Sequence, residues 1–158
     1  GKGTEGVAIF HGRDLFGYCA ARLASGIIDF EGVGPKYSVD EIVCHEILEP
    51  SVEGNKVCGI FEVNDPNFGN LWTNIPLSMF KEAGFEYGDY LNVTVKHEGE
   101  VVYSDKVLFH QSFGYAKKGD VMIYNNELMK VSMAVSQGSL CKKHNLSFGS
   151  DWVVEFEK

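Results

Sequence analysis

The sequence predicts a mainly β fold, a compact antiparallel barrel or sandwich over residues 56–158, preceded by one strand and one helix. Three observations carry this reading. Segments such as Tyr90–Lys96 alternate Leu91, Val93 and Val95 with Asn92, Thr94 and Lys96, the period of a strand with one buried face. Short apolar runs recur after residue 56 between turn residues, and only two stretches there have helical spacing. Residues 12–26, by contrast, place Leu15, Phe16, Cys19, Ala20 and Leu23 on one helical face.

Taken in order, Gly6-Val-Ala-Ile-Phe10 reads as a short buried strand. The helix from Gly12 to Gly26 has Asp14 near its amino end and Gly26 as its stop. Gly, Pro and acidic residues then accumulate, and the loop Gly32-Val-Gly-Pro35 marks a boundary: residues 1–34 form one unit with its linker, and 35–158 the β domain. Lys56–Val63 is the first strand of that domain. Tyr90–Lys96 turns at Glu98-Gly99 into Val101–Tyr103, and Lys106–His110, Val121–Tyr124, Lys130–Val135 and Trp152–Phe156 add further short strands. Pro76 suits the first turn of a helix ending near Gly84, and Ser139–His144 reads as another.

Charge and composition exclude several classes. The 158 residues hold 14 Lys and Arg against 22 Asp and Glu, a net charge of −8, and the only basic runs are Lys117-Lys118 and Lys142-Lys143. Neither a phosphate backbone nor an anionic membrane surface is matched by that balance. No apolar run approaches the ~18 residues of a membrane-spanning helix, and residues 1–10 lack the features of a secretion signal, so a cytoplasmic protein is expected. Cys19, Cys44, Cys58 and Cys141 never form C-x-x-C and read as buried or half-buried thiols. His45, His97, His110 and His144 have no carboxylate or Cys partner at ligand spacing, so they read as surface or strand-end residues and no metal site is expected. Trp72 and Trp152 read as packing residues, and Asp40, Glu41 and Glu46 as solvated surface.

Two segments bear chemistry. Asp65-Pro-Asn-Phe-Gly-Asn-Leu-Trp-Thr-Asn-Ile75 follows an apolar strand and gathers an acid for an ammonium group, a flat ring at Phe68, a glycine and the amide of Asn70, which pairs with a purine edge. The same residues also suit a plain turn in which Asx side chains bond their own backbone. Phe10-His-Gly-Arg-Asp14 lies where a strand hands over to a helix, so the N–H groups of Gly12 and Arg13 are placed for an anion and His11 for a proton; its plain reading is a structural turn with an Arg13–Asp14 ion pair.

Phe10-His-Gly-Arg-Asp-Leu-Phe16 with Ala20-Ala-Arg-Leu-Ala-Ser-Gly26, and Asp65-x-x-Phe-Gly-Asn-Leu-x-Thr-Asn-Ile75, resemble the S-adenosylmethionine hydroxide adenosyltransferases and their fluorinase and chlorinase relatives. The stretch from Phe113 through Asn126 to Gly138 is similar to a third family segment, more loosely. The resemblance implies a carboxy-terminal β-barrel preceded by the last strand and helix of an α/β domain, thus the later part of a pattern nearly twice as long. It implies that His11 and Gly12 are catalytic: His11 orients water or hydroxide, and Gly12 stands where fluorinases carry a hydroxyl residue. Phe10, Asp65, Phe68, Asn70, Phe113, Asn126 and Gln137 would bind substrate, with Asp65 on the methionine ammonium group, Asn70 on the adenine edge and Phe113 packed on adenine. The implied reaction cleaves S-adenosylmethionine at the ribose 5′ carbon to adenosine and methionine, with no cofactor or metal. The implied partners are a small adenosyl substrate and either two further copies in a homotrimer or an amino-terminal segment. A chloride-using relative and an adenosyl-binding module without turnover are the alternatives. One departure stands out: the family's Asn-Ser and Gly, which bind the methionine carboxylate, are replaced by Asn126-Glu-Leu-Met129, where the Glu127 charge repels a carboxylate and the glycine-permitted turn is lost.

Overall fold

The computed structural model describes residues 10–44 and 48–158. The expected strand at Gly6–Phe10, apart from Phe10, and the expectations for His45 and Glu46 lie outside the described residues. The chain divides into two units, Gly1–His45 and Glu46–Lys158.

In the first unit the apolar spacing does form a helix. It begins with wide π-type turns over Gly12–Gly17 and continues as α1, Tyr18–Ala24. Gly26 ends it in the left-handed conformation at φ 70°, and the Ile27 N–H returns to the Arg22 carbonyl at 3.0 Å. Single 3₁₀ turns follow at Glu31–Val33 and Val39–Glu41, the latter closed by a capping box between Ser38 and Glu41; Asp40 and Glu41 are exposed, as expected.

The second unit is a closed barrel. Its strands are β1 (Ser51–Glu53), β2 (Lys56–Asn64), β3 (Leu71–Pro76), β4 (Tyr90–His97), β5 (Glu100–Phe109), β6 (Val121–Asn125), β7 (Lys130–Val135) and β8 (Trp152–Glu157), with short helices α2 (Leu77–Glu82) and α3 (Leu140–His144). Seven of them ring up in the order β2-β3-β7-β6-β5-β4-β8, and β8 returns to β2 through five pairs from Lys56↔Glu157 to Ile60↔Val153. Strand β1 hangs outside the ring on β2. All ladders are antiparallel except β5 with β6. The period-two pattern decides which residues fill the ring: Leu91, Val93 and Val95 of β4 are fully buried, while Asn92 is exposed. Helix α2 adds Phe80, whose ring meets Phe85, Phe109 and Phe156 edge-on at centroid distances of 5.0–5.2 Å.

The barrel corrects four sequence expectations. Val101–Tyr103 and Lys106–His110 belong to one ten-residue strand, β5. Leu71–Ile75, read as part of a ligand loop, is a barrel strand with four residues at or below 8% exposure on its inner and covered positions. Pro76 caps α2 from outside with extended backbone. The thiol of Cys44 is exposed, whereas Cys19, Cys58 and Cys141 are half-buried as expected. Among the described residues, no helix is long and apolar enough to cross a membrane.

The core and its seam are each open to a stability test. Phe80→Ala removes a fully buried ring with three aromatic neighbours, so urea denaturation should show a loss of about 3–5 kcal/mol. At the closing seam Glu155 lies 2.9 Å from Lys56 Nζ and 2.8 Å from Lys96 Nζ; burial raises its carboxyl, yet the two lysine hydrogen bonds outweigh this and hold it below the usual glutamate range. A depressed folded-state value stabilises above the unfolded value and loses that contribution as pH falls through the folded one. The urea midpoint should therefore drop across the carboxylate range in acid, and Glu155→Gln should flatten that part of the profile.

Candidate functional site

With the interior full, alternate residues of β3, β7 and β6 point out of the ring and form an outer wall. Trp72 pairs with Ser132, and Ser132 with Tyr124, so an indole, a small hydroxyl and a phenol stand in one row across three strands. Tyr124 is joined on this face by Met122 and Ala134, packed beneath Ala116. Ser132, between the two large rings, is fully buried. A cavity of about 730 Å3 opens there, lined among others by Trp72, Tyr124, Phe68, Asn70, Phe113 and Gln137.

Three connections build its rim. The β2–β3 loop is held by backbone bonds from Gly69 to Asp65 at 2.7 Å and from Asp65 to Asn70 at 3.0 Å, and the Asn67 N–H donates to Asp65 Oδ1 at 3.0 Å. Both readings of this loop are thus realised, since the Asx turn forms while Phe68 and Asn70 face the cavity. Gly69 is left-handed at φ 70°, and a Cβ on it would run into Ser139, the side chain that caps α3. The second rim is the 3₁₀ turn Phe113–Tyr115, where Ser112 Oγ accepts the Gly114 N–H and the Phe113 ring stands edge-on to Tyr124 at 4.6 Å. The third is the β7–α3 turn carrying Gln137 at φ 55°, tied back through Gly119 N–H to the Ser136 carbonyl.

The β6–β7 turn completes the wall with Glu127. Asn126, expected to bind substrate, is absent from the lining because its amide is used inside this turn: Oδ1 accepts the N–H groups of Leu128 and Lys130, and Nδ2 donates to Ser132 Oγ. It is 3% exposed and sets the turn, and with it Ser132. The glycine-permitted turn is not lost after all, since Met129 itself takes φ 57°. Burial pushes the Tyr124 phenol up, and the charges of Glu127 and Asp65 add to that shift.

The structure therefore brings Asp65, Phe68, Asn70, Phe113 and Gln137 together around one cavity. Phe10, His11 and Gly12 are exposed at the start of the helix in the first unit. There the Arg13 and Asp14 N–H groups donate to the Phe10 carbonyl, so the Arg13 N–H is not free for an anion, and Arg13 pairs with Asp14 at 2.6 Å in the manner of the plain reading. Sequence reasoning missed the parts that β3 and β6 supply. Trp72 lines the cavity and is not only a packing residue, and Tyr124 is a cavity wall as well as a strand residue; locating β3 would have revealed both, through the Trp72–Ser132–Tyr124 register. His97 also differs from expectation. Its Nε2 lies 2.9 Å from Asp151 Oδ2, with Glu98 close by and Trp152 stacked on the ring, a grouping made by the β4–β8 pairing across 54 positions of sequence.

Comparison with known proteins places this architecture. The family description "SAM hydroxide adenosyltransferase C-terminal domain" matches residues 61–153. A fluorinase of Actinoplanes sp. (strain N902-109) is 31% identical over 141 residues, 89% of this chain and 46% of that relative; a fluorinase of Actinopolyspora mzabensis is 30% identical over 143 residues with the same coverage. The chain thus spans about half the length of these curated relatives. A crystal structure of an uncharacterized conserved protein from Thermotoga maritima superposes with a TM-score of 0.71 at 27% identity, over 95% of this chain and 53% of that one. One of a conserved hypothetical protein from Thermus thermophilus, at TM-score 0.52 and 23% identity over 92% and 52%, shares the fold.

The rim predicts a comparison of two glycines. Gly84 is left-handed like Gly69, at φ 75°, but has open space around its missing Cβ. Gly84→Ala should cost about 1–2 kcal/mol of backbone strain in urea denaturation, and Gly69→Ala should cost measurably more because it also displaces Ser139 from the cap of α3. Equal losses would show that the close approach of Gly69 to α3 contributes nothing.

Proposed function

Because this chain belongs to the SAM hydroxide adenosyltransferase family, we propose that its barrel cavity binds the adenosyl group of S-adenosylmethionine and takes part in cleaving it, with water or hydroxide as the nucleophile. The observation that carries the reading is the convergence of Asp65, Phe68, Asn70, Phe113 and Gln137 on one aromatic-walled cavity. Phe68 and Phe113 supply faces for a purine. Among the described residues the Asn70 side-chain amide has no hydrogen bond of its own, so it is free to present donor and acceptor together to a base edge.

The chemistry is an in-line displacement. A water oxygen forms a bond to the ribose 5′ carbon while the carbon–sulfur bond breaks, the electron pair stays on sulfur, and methionine leaves as a neutral thioether; the water's proton passes to a base. The positively charged sulfur is already a good leaving group, so alignment of the nucleophile and exclusion of bulk water carry the rate, and the reading assigns S-adenosylmethionine as substrate with no metal or further cofactor. His11 is the base that the resemblance gives, suited to the task because imidazole exchanges its proton near neutral pH. Gly12 offers no hydroxyl to a fluoride ion, which favours hydroxide over halide even though the curated relatives are fluorinases. The complete site is read as shared between copies of the chain in a trimer or with an amino-terminal segment.

The test is calorimetric binding of adenosine followed by chromatographic assay of adenosine release from S-adenosylmethionine. Asn70→Ala should weaken adenosine binding at least about tenfold. His11→Ala should lower adenosine release about 10²-fold or more while adenosine still binds. Unchanged binding in the first variant removes the adenine assignment, and unchanged release in the second removes the hydroxide mechanism.

A further inference from the structure

The cavity carries two carboxylates on different walls, Asp65 on the β2–β3 loop and Glu127 on the β6–β7 turn, and among the described residues no Lys, Arg or His lines it. Asp65 uses Oδ1 to hold the Asn67 N–H, while Oδ2 has no hydrogen bond among the described residues; Glu127 has neither a hydrogen bond nor an ion-pair partner among them. Both charges are therefore available to a ligand. On the turn that carries Glu127, the N–H groups of Leu128 and Lys130 go to Asn126 Oδ1, and that of Met129 to the Asn126 carbonyl.

An amino-acid carboxylate in this cavity would face Glu127 with no cation among the described lining residues to offset it. An adenosyl sulfonium whose arm ends in an amine carries two positive charges and no negative one, matching the two carboxylates. We propose that the cavity selects such a doubly cationic, carboxylate-free adenosyl sulfonium over S-adenosylmethionine, with Glu127 as the specificity-determining residue. This rests on the adenosyl reading of the same cavity and keeps its adenosyl sulfonium chemistry, with the carboxylate-free sulfonium in place of S-adenosylmethionine as the preferred ligand.

The probes are adenosine, S-adenosylmethionine and its decarboxylated counterpart, the S-adenosyl aminopropyl sulfonium, each titrated calorimetrically into the intact chain. The amine sulfonium should bind at least about tenfold more tightly than S-adenosylmethionine, and Glu127→Gln, a change on an exposed turn, should shrink that ratio severalfold. If adenosine binds but S-adenosylmethionine binds as tightly as the amine sulfonium, or Glu127→Gln leaves the ratio unchanged, the specificity proposal is overturned and the adenosyl reading stands. If none of the three binds, both are overturned. Thermal denaturation of Glu127→Gln verifies that the variant is folded before its ratio is read.

Discussion

The constraint on which the barrel unit depends is the closure of its sheet through β2 and β8. Five residue pairs join the first long strand to the last, and once they form, no strand can slip by one residue without turning its apolar set to solvent. The seam is polar outside and apolar within: Val57 and Phe156 pair facing the core, while Glu155 sits outside between Lys56 and Lys96. Closure also leaves every outward residue of β3, β7 and β6 with a fixed neighbour. The row Trp72–Ser132–Tyr124 is a result of register, and its two outer members line the cavity.

The parts of the rim are then held largely by main-chain hydrogen bonds. The Gly69 carbonyl accepts the Cys141 N–H, Gly119 N–H reaches the Ser136 carbonyl, and Asn126 bonds three groups of its own turn and strand. Side chains that face the cavity are mostly spared this work. Phe68, Asn70 and Gln137 contribute little to holding the loops that display them, and such a division between structural main chain and free side chain is how a site stays preorganised without losing its ligand-facing groups.

Legibility in the sequence followed the same division. Strand β4 was readable because one face meets the core and the other meets water, which produces the alternation of Leu91, Val93 and Val95 with Asn92 and Thr94. Strand β3 was not, since its outer face is covered: Asn74 is buried and bonds the Ile60 N–H and the Leu48 carbonyl, and Thr73 bonds the Val131 carbonyl, so polar residues that resemble a loop are strand residues with satisfied partners. Strand β1 is three residues long and gives no pattern. At the site, Asp65, Phe68 and Asn70 were legible because they crowd into one turn, and Phe113 and Gln137 only through resemblance. Asn126, expected from the resemblance to bind substrate, spends its amide on its own turn, and an amide that binds a ligand and one that binds its own turn look alike in sequence. His97 meets Asp151 because the ladder pairs His97 with Trp152, a register that no local pattern announces.

The β6–β7 turn shows how fold and chemistry separate. Its left-handed position is kept by Met129 at φ 57°, a conformation that costs a side-chain-bearing residue about 1–2 kcal/mol relative to glycine. What sustains it is local: Asn126 binds both flanking N–H groups, and the Met129 carbonyl accepts the Leu77 N–H at the start of α2, so the turn is fixed from two sides. A turn held so firmly tolerates a change in the residue it displays. Glu127, exposed and without a partner among the described residues, takes no part in holding the turn, and its charge acts only toward the cavity and solvent. The backbone there serves the barrel, and the side chain is left to define what the cavity accepts.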